Sequence, residues 1–453
     1  MRIKSLELEN FRLFEKVSIP FVSSDSDNGN VVVFVGNNGS GKTTILEALS
    51  LSLSWLVARI SRGSGGQGTG IKDLAITNKK NFSTITIDGN YKEFDFSWRI
   101  AKNLKGRKKV AESDYTRLSE LAEFFREKLT EDENASLPLL AYYPVERTIL
   151  DIPLKIKTKH SFGQLDGLDG SLVQGVDFRR FFEWFRERED SESELRSRHS
   201  DDVLAKLKAL LSEDRELDTI SREDIDNIVG KPLRDRQLDA VRNAISTFMP
   251  GFENLKIKRK PRLRMMVDKD GVPLNVEQLS QGEKSLMALV GSISSRLSMM
   301  NPILPDPLKG RGIVMVDEID LHLHPKWQRD IIDRLRNTFP NCQFILTTHS
   351  PLVISNSPNT LTYILNNGEI ERVGNLYGMD ANQVLLQEMG VEIRNSEIQN
   401  KLDDLMDLIQ ERKFSEAKSI TSELEQILPA DHWELNKVKI LLLRKEAQCA
   451  KNS

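Results

Sequence analysis

The residues with the clearest chemical potential form a glycine-rich segment near the start of the chain. In order they are Gly36, Asn37, Asn38, Gly39, Ser40, Gly41, Lys42, Thr43 and Thr44. Glycine backbones adopt conformations closed to other residues, so successive N–H groups of such a loop can point at phosphate oxygens. In this pattern the lysine reaches the β- and γ-phosphates, and the hydroxyl of Thr43 binds Mg²⁺. The segment predicts a site for ATP and Mg²⁺.

The elements on either side of this segment support that interpretation. An apolar, β-branched run from Val31 to Val35 predicts a buried strand, and Ile45 to Leu49 predicts the start of a helix. A chance glycine-rich turn is the alternative. The order strand, loop, helix favours a phosphate loop, because the positive end of the following helix then faces the anion.

A second group of candidate residues is acidic and lies far along the chain. The apolar run from Gly312 to Val316 predicts a strand that ends at Asp317 and Glu318. At a strand end, Asp317 can hold the Mg²⁺ shell and Glu318 can act as general base for an attacking water. A capped helix start is the alternative. The phosphate loop earlier in the chain favours the catalytic interpretation.

Two weaker signals flank the acidic pair. The segment from Leu279 to Ser285 opens a predicted helix, in which Ser280 is the cap and Gly282 permits close approach of a ligand. After the pair, an apolar strand from Cys342 ends at His349, whose imidazole can position the γ-phosphate and the water. A structural histidine is the alternative for His349.

Composition limits the remaining classes of function. The chain has 453 residues, a formal net charge of −3 and two cysteines, so nucleic acid would have to be bound by a local patch, and no disulfide framework is expected. Neither a signal sequence nor a membrane-spanning stretch is evident. We therefore expect a cytoplasmic protein that contacts no membrane.

The region after residue 100 differs in character and predicts a mainly α-helical insertion, residues 101–250. Its aromatic residues recur at helical spacing, which favours packing over base stacking; they are Phe178, Phe181, Phe182, Trp184 and Phe185. The next strand pair carries a basic face, which can track a nucleic-acid backbone or be simply solvated; its cations are Lys256, Lys258, Lys260, Arg262 and Arg264.

Two local predictions concern connections in the first hundred residues. The glycine- and serine-rich stretch from Ser61 to Gly70 predicts a flexible crossover, with a nucleotide or DNA contact as the alternative. Further on, Asp88-Gly89-Asn90 predicts the turn of a hairpin between Thr84–Ile87 and Tyr91–Ile100.

The C-terminal tail predicts three amphipathic helices. The expected apolar stripes are Ile398, Leu402, Leu405 and Ile409; Ala417, Ile420, Leu424 and Leu428; and Val438, Leu441 and Leu442. The carboxylates Asp403, Asp404 and Asp407 lie on the first of these helices, and no strand ends in paired carboxylates there. We therefore expect no nuclease active site in this chain.

In this order, the motifs resemble those of the ATP-binding-cassette ATPases of the SMC, RecF and OLD-like branch. The matching segments are GNNGSGKT as Walker A, LSQGEKS as signature loop, VMVDEID as Walker B and D-loop, and TTHSP with the switch histidine. The resemblance implies an α/β ABC-type P-loop ATPase head with the helical insertion and a helical C-terminal extension. It assigns Ser280, Gly282, Glu283 and Asp320 to nucleotide binding, with Ser280 and Gly282 acting on the nucleotide of a second protomer.

The architecture and the tail are most similar to the ATPase subunits of Septu anti-phage defence systems, PtuA, which also occur with some retrons. This resemblance implies self-association, an HNH-type nuclease partner bound by the tail, and nucleic acid as a component or target. The predicted divisions are 1–100 and 251–378 for the two lobes of the head, 101–250 for the insertion and 379–453 for the extension. A RecF-like repair ATPase without a nuclease and a nucleotide-sensing scaffold are the alternatives.

Overall fold

The apolar run at Val31–Val35 forms the buried centre of a parallel sheet, and each of its side chains is fully shielded from solvent. A computed structural model describes residues 1–22, 30–145, 162–172, 178–212, 234–374, 376–388 and 395–451. It divides the chain into two units, Met1–Met379 and Asp380–Ser453. Parts of the predicted insertion, residues 146–161, 173–177 and 213–233, lie outside the described residues.

The described residues of the first unit form three sheets. Its strands are β1 Arg2–Phe11, β2 Phe14–Pro20, β3 Val31–Gly36, β4 Phe82–Tyr91, β5 Phe94–Asn103, β6 Leu139–Tyr143, β7 Phe252–Lys258, β8 Arg264–Lys269, β9 Val272–Asn275, β10 Gly312–Val316, β11 Cys342–Thr348, β12 Leu361–Asn366 and β13 Glu369–Val373. The central sheet has the order β13-β12-β3-β11-β10-β6 and is parallel except for β13. An antiparallel sheet has the order β2-β1-β4-β5, and a smaller one has the order β7-β8-β9.

Helices cover the central sheet and form the second unit. They are α1 Lys42–Arg62, α2 Thr116–Glu131, α3 Phe178–Ser212, α4 Arg236–Phe248, α5 Gln281–Met300, α6 Pro325–Thr338, α7 Pro351–Ser355, α8 Ser396–Gln410, α9 Phe414–Ile427 and α10 Trp433–Lys451. Short helical turns occupy Asp73–Ala75, Leu165–Gly167, Val276–Gln278, Pro307–Lys309, Ala381–Gln383 and Val384–Glu388. Because β3, β10 and β11 are parallel neighbours, their carboxyl ends meet at one edge of the sheet.

Helix α1 follows the phosphate loop and is the most apolar long helix among the described residues. By length and hydropathy it passes the test for a membrane span, but 72% of its apolar window is buried inside the protein. It packs on β3, β6 and β11. These contacts identify α1 as a core helix of the first unit.

The segment predicted as a flexible crossover, Ser61–Gly70, begins inside α1 and then lies against that helix. Helix α1 continues to Arg62, and the residues that follow are bonded back onto it. The Thr69 N–H donates to Ser54 Oγ at 2.8 Å, and the Trp55 indole donates to the Thr69 carbonyl at 3.1 Å. The small residues here allow the backbone to lie close against a helix. Flexible linkers have the same glycine- and serine-rich composition, so composition alone does not distinguish the two cases.

The predicted hairpin exists, but its turn lies elsewhere. Strand β4 continues through Asp88-Gly89-Asn90 to Tyr91, and the reversal occurs at Lys92 and Glu93. Lys92 adopts the left-handed conformation with φ 54°. Pairing of β4 with β1 on its other side holds Gly89 in the strand, so tertiary pairing overrides the local turn signal.

Aromatic packing in the insertion agrees with the prediction. Four rings of α3 are at most 2% exposed, namely Phe181, Phe182, Trp184 and Phe185. The side chain of Phe178 lies outside the described set. These rings anchor the first turns of α3 in the head, against α5 and α4.

The second unit is a small helical fold with its own core. Its buried residues come from all three predicted stripes; they are Leu402, Leu405, Ile409, Ala417, Leu424, Leu435, Val438 and Leu442. The acidic residues Asp403, Asp404 and Asp407 are exposed on α8. The stripes were therefore predicted correctly, and the carboxylates form a solvated face.

Candidate active site

The phosphate loop turns sharply between β3 and α1. Gly41 immediately precedes α1 with φ 107°, and a Cβ there would lie 2.7 Å from the Phe14 ring, so a larger residue would be both strained and crowded. Asn37, Asn38 and Gly39 are exposed at the rim of the loop, whereas Ser40 and Thr44 are buried. The rim of the loop is thus open to solvent, whereas the residues next to α1 are buried.

Lys42 lies inside the curve of this loop. Its ammonium donates to the carbonyls of Gly36 at 2.8 Å and Asn37 at 3.0 Å, and the residue is 5% exposed. Burial lowers the pKa of Lys42, and the nearby carboxylates of Asp317 and Glu318 oppose that shift. A phosphate could therefore replace the carbonyls as partner of a cation that is already held in place.

Asp317 joins the phosphate loop to two neighbouring strands. Its Oδ2 accepts from Thr43 Oγ1 at 2.8 Å, its Oδ1 accepts from Thr347 Oγ1 at 2.5 Å, and its N–H donates to the Tyr143 carbonyl. The carboxylate is almost completely buried. The hydroxyl of Thr43 and the carboxylate of Asp317 thereby converge, as the sequence pattern predicted.

Glu318 and His349 face each other across adjacent strand ends. Glu318 Oε1 lies 3.7 Å from His349 Nε2, and both side chains are roughly one-third exposed. Glu318 adopts the left-handed conformation, φ 46°, and its N–H donates to Thr347 Oγ1 at 2.7 Å. Burial and the charge of Lys42 lower the pKa of His349, although the carboxylates oppose this, which favours the neutral imidazole.

A second polar chain connects Asp320 to the segment after the histidine. Asp320 Oδ1 accepts from Thr348 Oγ1 at 2.5 Å, and Thr348 Oγ1 accepts from the Ser350 N–H at 2.9 Å. Ser350 Oγ donates to Gln328 Oε1 at 2.8 Å, and Gln328 Nε2 donates to the Leu323 carbonyl at 2.9 Å. The turn after β10 and the turn after β11 are thereby held together by side chains.

The predicted signature turn is a complete capping box. Ser280 Oγ accepts from the Glu283 N–H, and Glu283 Oε2 accepts from the Ser280 N–H at 3.0 Å. Lys269, at the end of β8, bonds Glu283 Oε1 at 2.7 Å. Burial opposes ionisation of Glu283, but the bonds from Lys269 and Ser280 prevail and lower its pKa.

Gly282 has a packing role that the sequence did not indicate. A Cβ at this position would lie 2.3 Å from the carbonyl oxygen of His322. The signature turn is therefore pressed against the backbone that follows Asp317 and Glu318. Only a residue without a side chain permits this contact.

Two polar atoms at the strand ends lack a hydrogen-bond partner among the described residues. They are Ser40 Oγ in the phosphate loop and His349 Nε2. Buried polar atoms are normally satisfied, so this pair fits a site that takes a polar ligand. No group of three or more His, Cys, Asp or Glu in the described ranges could hold a metal by itself. Thr43 and Asp317 suit Mg²⁺, which uses few protein ligands and completes its shell with phosphates and water.

Sequence reasoning missed the threonines and the glutamine that organise this site. Thr347 bonds Asp317 and Glu318, Thr348 bonds Asp320, and Gln328 bonds Ser350. Pairing of Val316 with Leu346 brings the ends of β10 and β11 side by side. The two consecutive hydroxyls before a strand-end histidine were the available signal.

Comparison with known proteins shows the family of this chain. Residues 31–355 match the family described as AAA domain, putative AbiEii toxin, Type IV TA system. A relative described as Retron Ec83 probable ATPase, from Escherichia coli, is 37% identical over 82% of this chain and 72% of its own length. This chain belongs to that family of AAA-domain ATPases. It is an ATPase that binds and hydrolyses ATP.

Other relatives extend the comparison of this AAA-domain ATPase. The Retron Vc95 probable ATPase of Vibrio cholerae is 35% identical over 81% of this chain and 74% of its own. The Septu protein PtuA of Bacillus mycoides is 26% identical over 77% of this chain and 38% of its own. Among solved structures, the SMC head domain from Thermotoga maritima is 18% identical over 83% of this chain and 100% of its own, with a TM-score of 0.42.

Proposed function

We propose that this ATPase is a cytoplasmic subunit of an anti-phage defence complex and that it controls a nuclease acting in trans. The observation that carries the proposal is the similarity to two retron probable ATPases, which covers 82% and 81% of this chain. The similarity to a Septu protein PtuA gives further support.

The nucleotide-binding half of the mechanism rests on the phosphate loop. The loop N–H groups from Gly36 to Gly41 would surround the phosphates, and Lys42 would exchange its two carbonyl partners for β- and γ-phosphate oxygens. Thr43 and Asp317 would hold Mg²⁺, which supplies charge neutralisation between the phosphates when it is bound. The hydroxyl of Ser40, which has no hydrogen-bond partner among the described residues, would gain one from the nucleotide.

The hydrolytic half rests on the pair at the strand ends. Glu318 would accept a proton from the attacking water, and the neutral His349 would position that water or the γ-phosphate through Nε2. The product of the reaction is ADP and phosphate. Thr347 would act as a positioning residue, because its hydroxyl bonds both Asp317 and the backbone of Glu318.

Self-association would complete the site. The chain has one phosphate loop and one signature turn, and in the family that it resembles each signature turn completes the site of another protomer. Ser280 and Gly282 would then contact the γ-phosphate of the neighbouring nucleotide, with Glu283 fixing the turn. Asp320 would lie close to the same interface.

The helical unit Asp380–Ser453 would bind the nuclease. Helix α10 exposes large apolar side chains: Trp433 is 74% exposed, Ile440 is 54% exposed and Leu443 is 64% exposed. Trp433 and Ile440 also line a groove of about 670 Å³ that includes Leu402 and Met406 of α8. Exposed aromatic and aliphatic groups beside a groove are typical of a protein-binding surface.

Co-purification with the products of neighbouring genes tests this proposal. Tagged protein should retain a stoichiometric nuclease, and Trp433→Glu should release it without changing ATP hydrolysis. Glu411→Lys, a charge change at an exposed site in the same unit, is the control and should retain the nuclease. Recovery of a homo-oligomer alone, with DNA-stimulated hydrolysis, would instead support a RecF-like repair ATPase.

A further inference from the structure

The segment from Lys256 to Arg264 concentrates positive charge on a fixed surface of the head. It contains six cations and no acidic residue. Arg259 pairs with Asp190 and Glu189 of α3. The other cations are exposed, and among the described residues none of them has an ion-pair partner; they are Lys256, Lys258, Lys260, Arg262 and Arg264. We call these five the basic ridge.

The pairing of β7 with β8 puts like charges directly opposite each other. Lys258 pairs in register with Arg264, and both are exposed. Lys256, two residues before Lys258, shares this face, whereas Leu255 and Ile257 point into the core. Opposed like charges destabilise a strand pair unless an anion lies between them. Same-face neighbours lie roughly 6.7 Å apart along a strand, a spacing comparable to that of successive phosphates.

The ridge is held rigidly from beneath. The Ile257 N–H donates to the carboxylate of Glu189 at 3.1 Å, and Arg242 of α4 donates to the Leu255 carbonyl at 3.2 Å. Glu189 is also bonded by Arg242, so α3, α4 and β7 are linked through buried charge. An anion that binds the ridge would therefore meet cations whose backbone is already ordered, which limits the entropy cost.

We propose that the basic ridge binds the sugar-phosphate backbone of nucleic acid without reading its sequence. Cations spaced along a strand, unpaired and solvent-exposed, are the chemistry that neutralises successive phosphates. The net charge of the chain is −3, so this local patch and not a global field supplies the attraction. The proposal adds a ligand and its surface to the proposed function and does not depend on a nuclease partner.

Nucleic acid fits this surface better than a membrane or an acidic protein does. The exposed face of β7 and β8 has no aromatic side chain. Beside the ridge cations it carries the partly buried Met266 and the acidic residues Glu253 and Asp268. Membrane-surface segments insert Trp, Phe or Leu, and protein interfaces place apolar residues at their centre. A face of cations with two acidic neighbours and a single half-buried methionine lacks both features.

A triple substitution with a matched control tests the ridge. The variant is Lys256→Gln with Lys258→Gln and Arg264→Gln in the full chain. The control removes three exposed cations from another basic loop of the head, Lys105→Gln with Arg107→Gln and Lys108→Gln. Fluorescence anisotropy would measure binding of labelled oligo(dT), oligo(U) and a DNA duplex over a series of salt concentrations, with circular dichroism to verify folding.

The ridge variant should lose about 100-fold in affinity for single strands near 0.1 M salt, because each lost phosphate contact contributes about 0.7 to the salt slope. The slope itself should fall by about 2. The control should bind like the wild type, and Lys256→Arg with Lys258→Arg should retain affinity.

Three results would overturn the proposal. Wild-type protein that binds none of the three nucleic acids is the first. Equal losses in the ridge variant and the control would show a general charge effect. Competition by polyglutamate as effective as that of oligo(dT) at equal charge would show a surface for acidic polypeptide instead.

Discussion

Thr347 Oγ1 donates to Asp317 Oδ1 across the junction of β11 and β10, at 2.5 Å. The same oxygen accepts from the N–H of Glu318. One hydroxyl therefore fixes both the carboxylate expected at the metal and the backbone of the expected general base. Its loss would disturb two groups of the site at once.

Replacing Thr347 by valine should slow ATP hydrolysis about 10- to 100-fold, since a lost hydrogen bond to a charged group is worth roughly 1.5–3 kcal/mol. ATP affinity should change little, because Lys42 and the loop are intact. Steady-state kinetics with a nucleotide-binding assay would measure both quantities. Thr347→Ser keeps the hydroxyl and should retain turnover. Equal activity of the valine and serine variants would contradict a positioning role for the Thr347 hydroxyl.

Substitutions at Lys42 and Glu318 should affect ATP binding and ATP hydrolysis separately. Lys42→Ala removes the buried ammonium of the phosphate loop and should abolish tight ATP binding. Glu318→Gln should keep binding, reduce turnover about 10²- to 10⁴-fold and accumulate an ATP-bound assembly. Equilibrium binding, phosphate release and native mass would report these three properties. The assignment of the site fails if both variants hydrolyse ATP at the wild-type rate.

Gly282→Ala tests the contact between the signature turn and the turn after Walker B. The added methyl would lie 2.3 Å from the His322 carbonyl, so one turn must move, at a cost of about 1–3 kcal/mol. Turnover should fall while nucleotide binding to the isolated protomer persists. Gly374→Ala meets no atom within 4 Å and is the matched control. If the Gly282 variant had the stability and turnover of the wild type, the turn would be able to move without cost, and the contact with His322 would not matter for activity.

His349 should make stability depend on pH. Its pKa in the folded, nucleotide-free protein lies below the ordinary 6.5, so on acidification the unfolded chain takes up the proton first. The folded state therefore loses stability as pH falls below about 6.5 and regains it above that value. Urea unfolding of the wild type and His349→Gln at a series of pH values would measure this; the variant should show the smaller loss. Parallel curves for the two proteins would contradict the expected shift.

Predictions from the sequence were accurate where local pattern and final structure coincide. The stripes of α8, α9 and α10 became the core of the second unit, and Ser280 became the cap of α5. The acidic pair lies at the end of β10, as its apolar run indicated. In each case, the spacing of the apolar residues or a capping residue next to them is sufficient to predict the element.

The failures arose where distant parts of the chain decide the outcome. Pairing with β1 keeps Gly89 inside a strand, and hydrogen bonds to α1 order the stretch after Arg62. The roles of Thr347 and Gln328 depend on which strands and turns are neighbours in space. Such pairings join residues far apart in the sequence, so no local window includes both partners.

Strand β8 ends in two different environments. Arg264 belongs to the basic ridge at one end, and five residues later Lys269 is bonded to the capping box that opens the signature helix. If ATP-dependent self-association increases the affinity for nucleic acid by some factor, thermodynamic reciprocity requires nucleic acid to stabilise the ATP-bound assembly by that same factor. Through β8, the binding of ATP and the binding of nucleic acid can thus each report on the other.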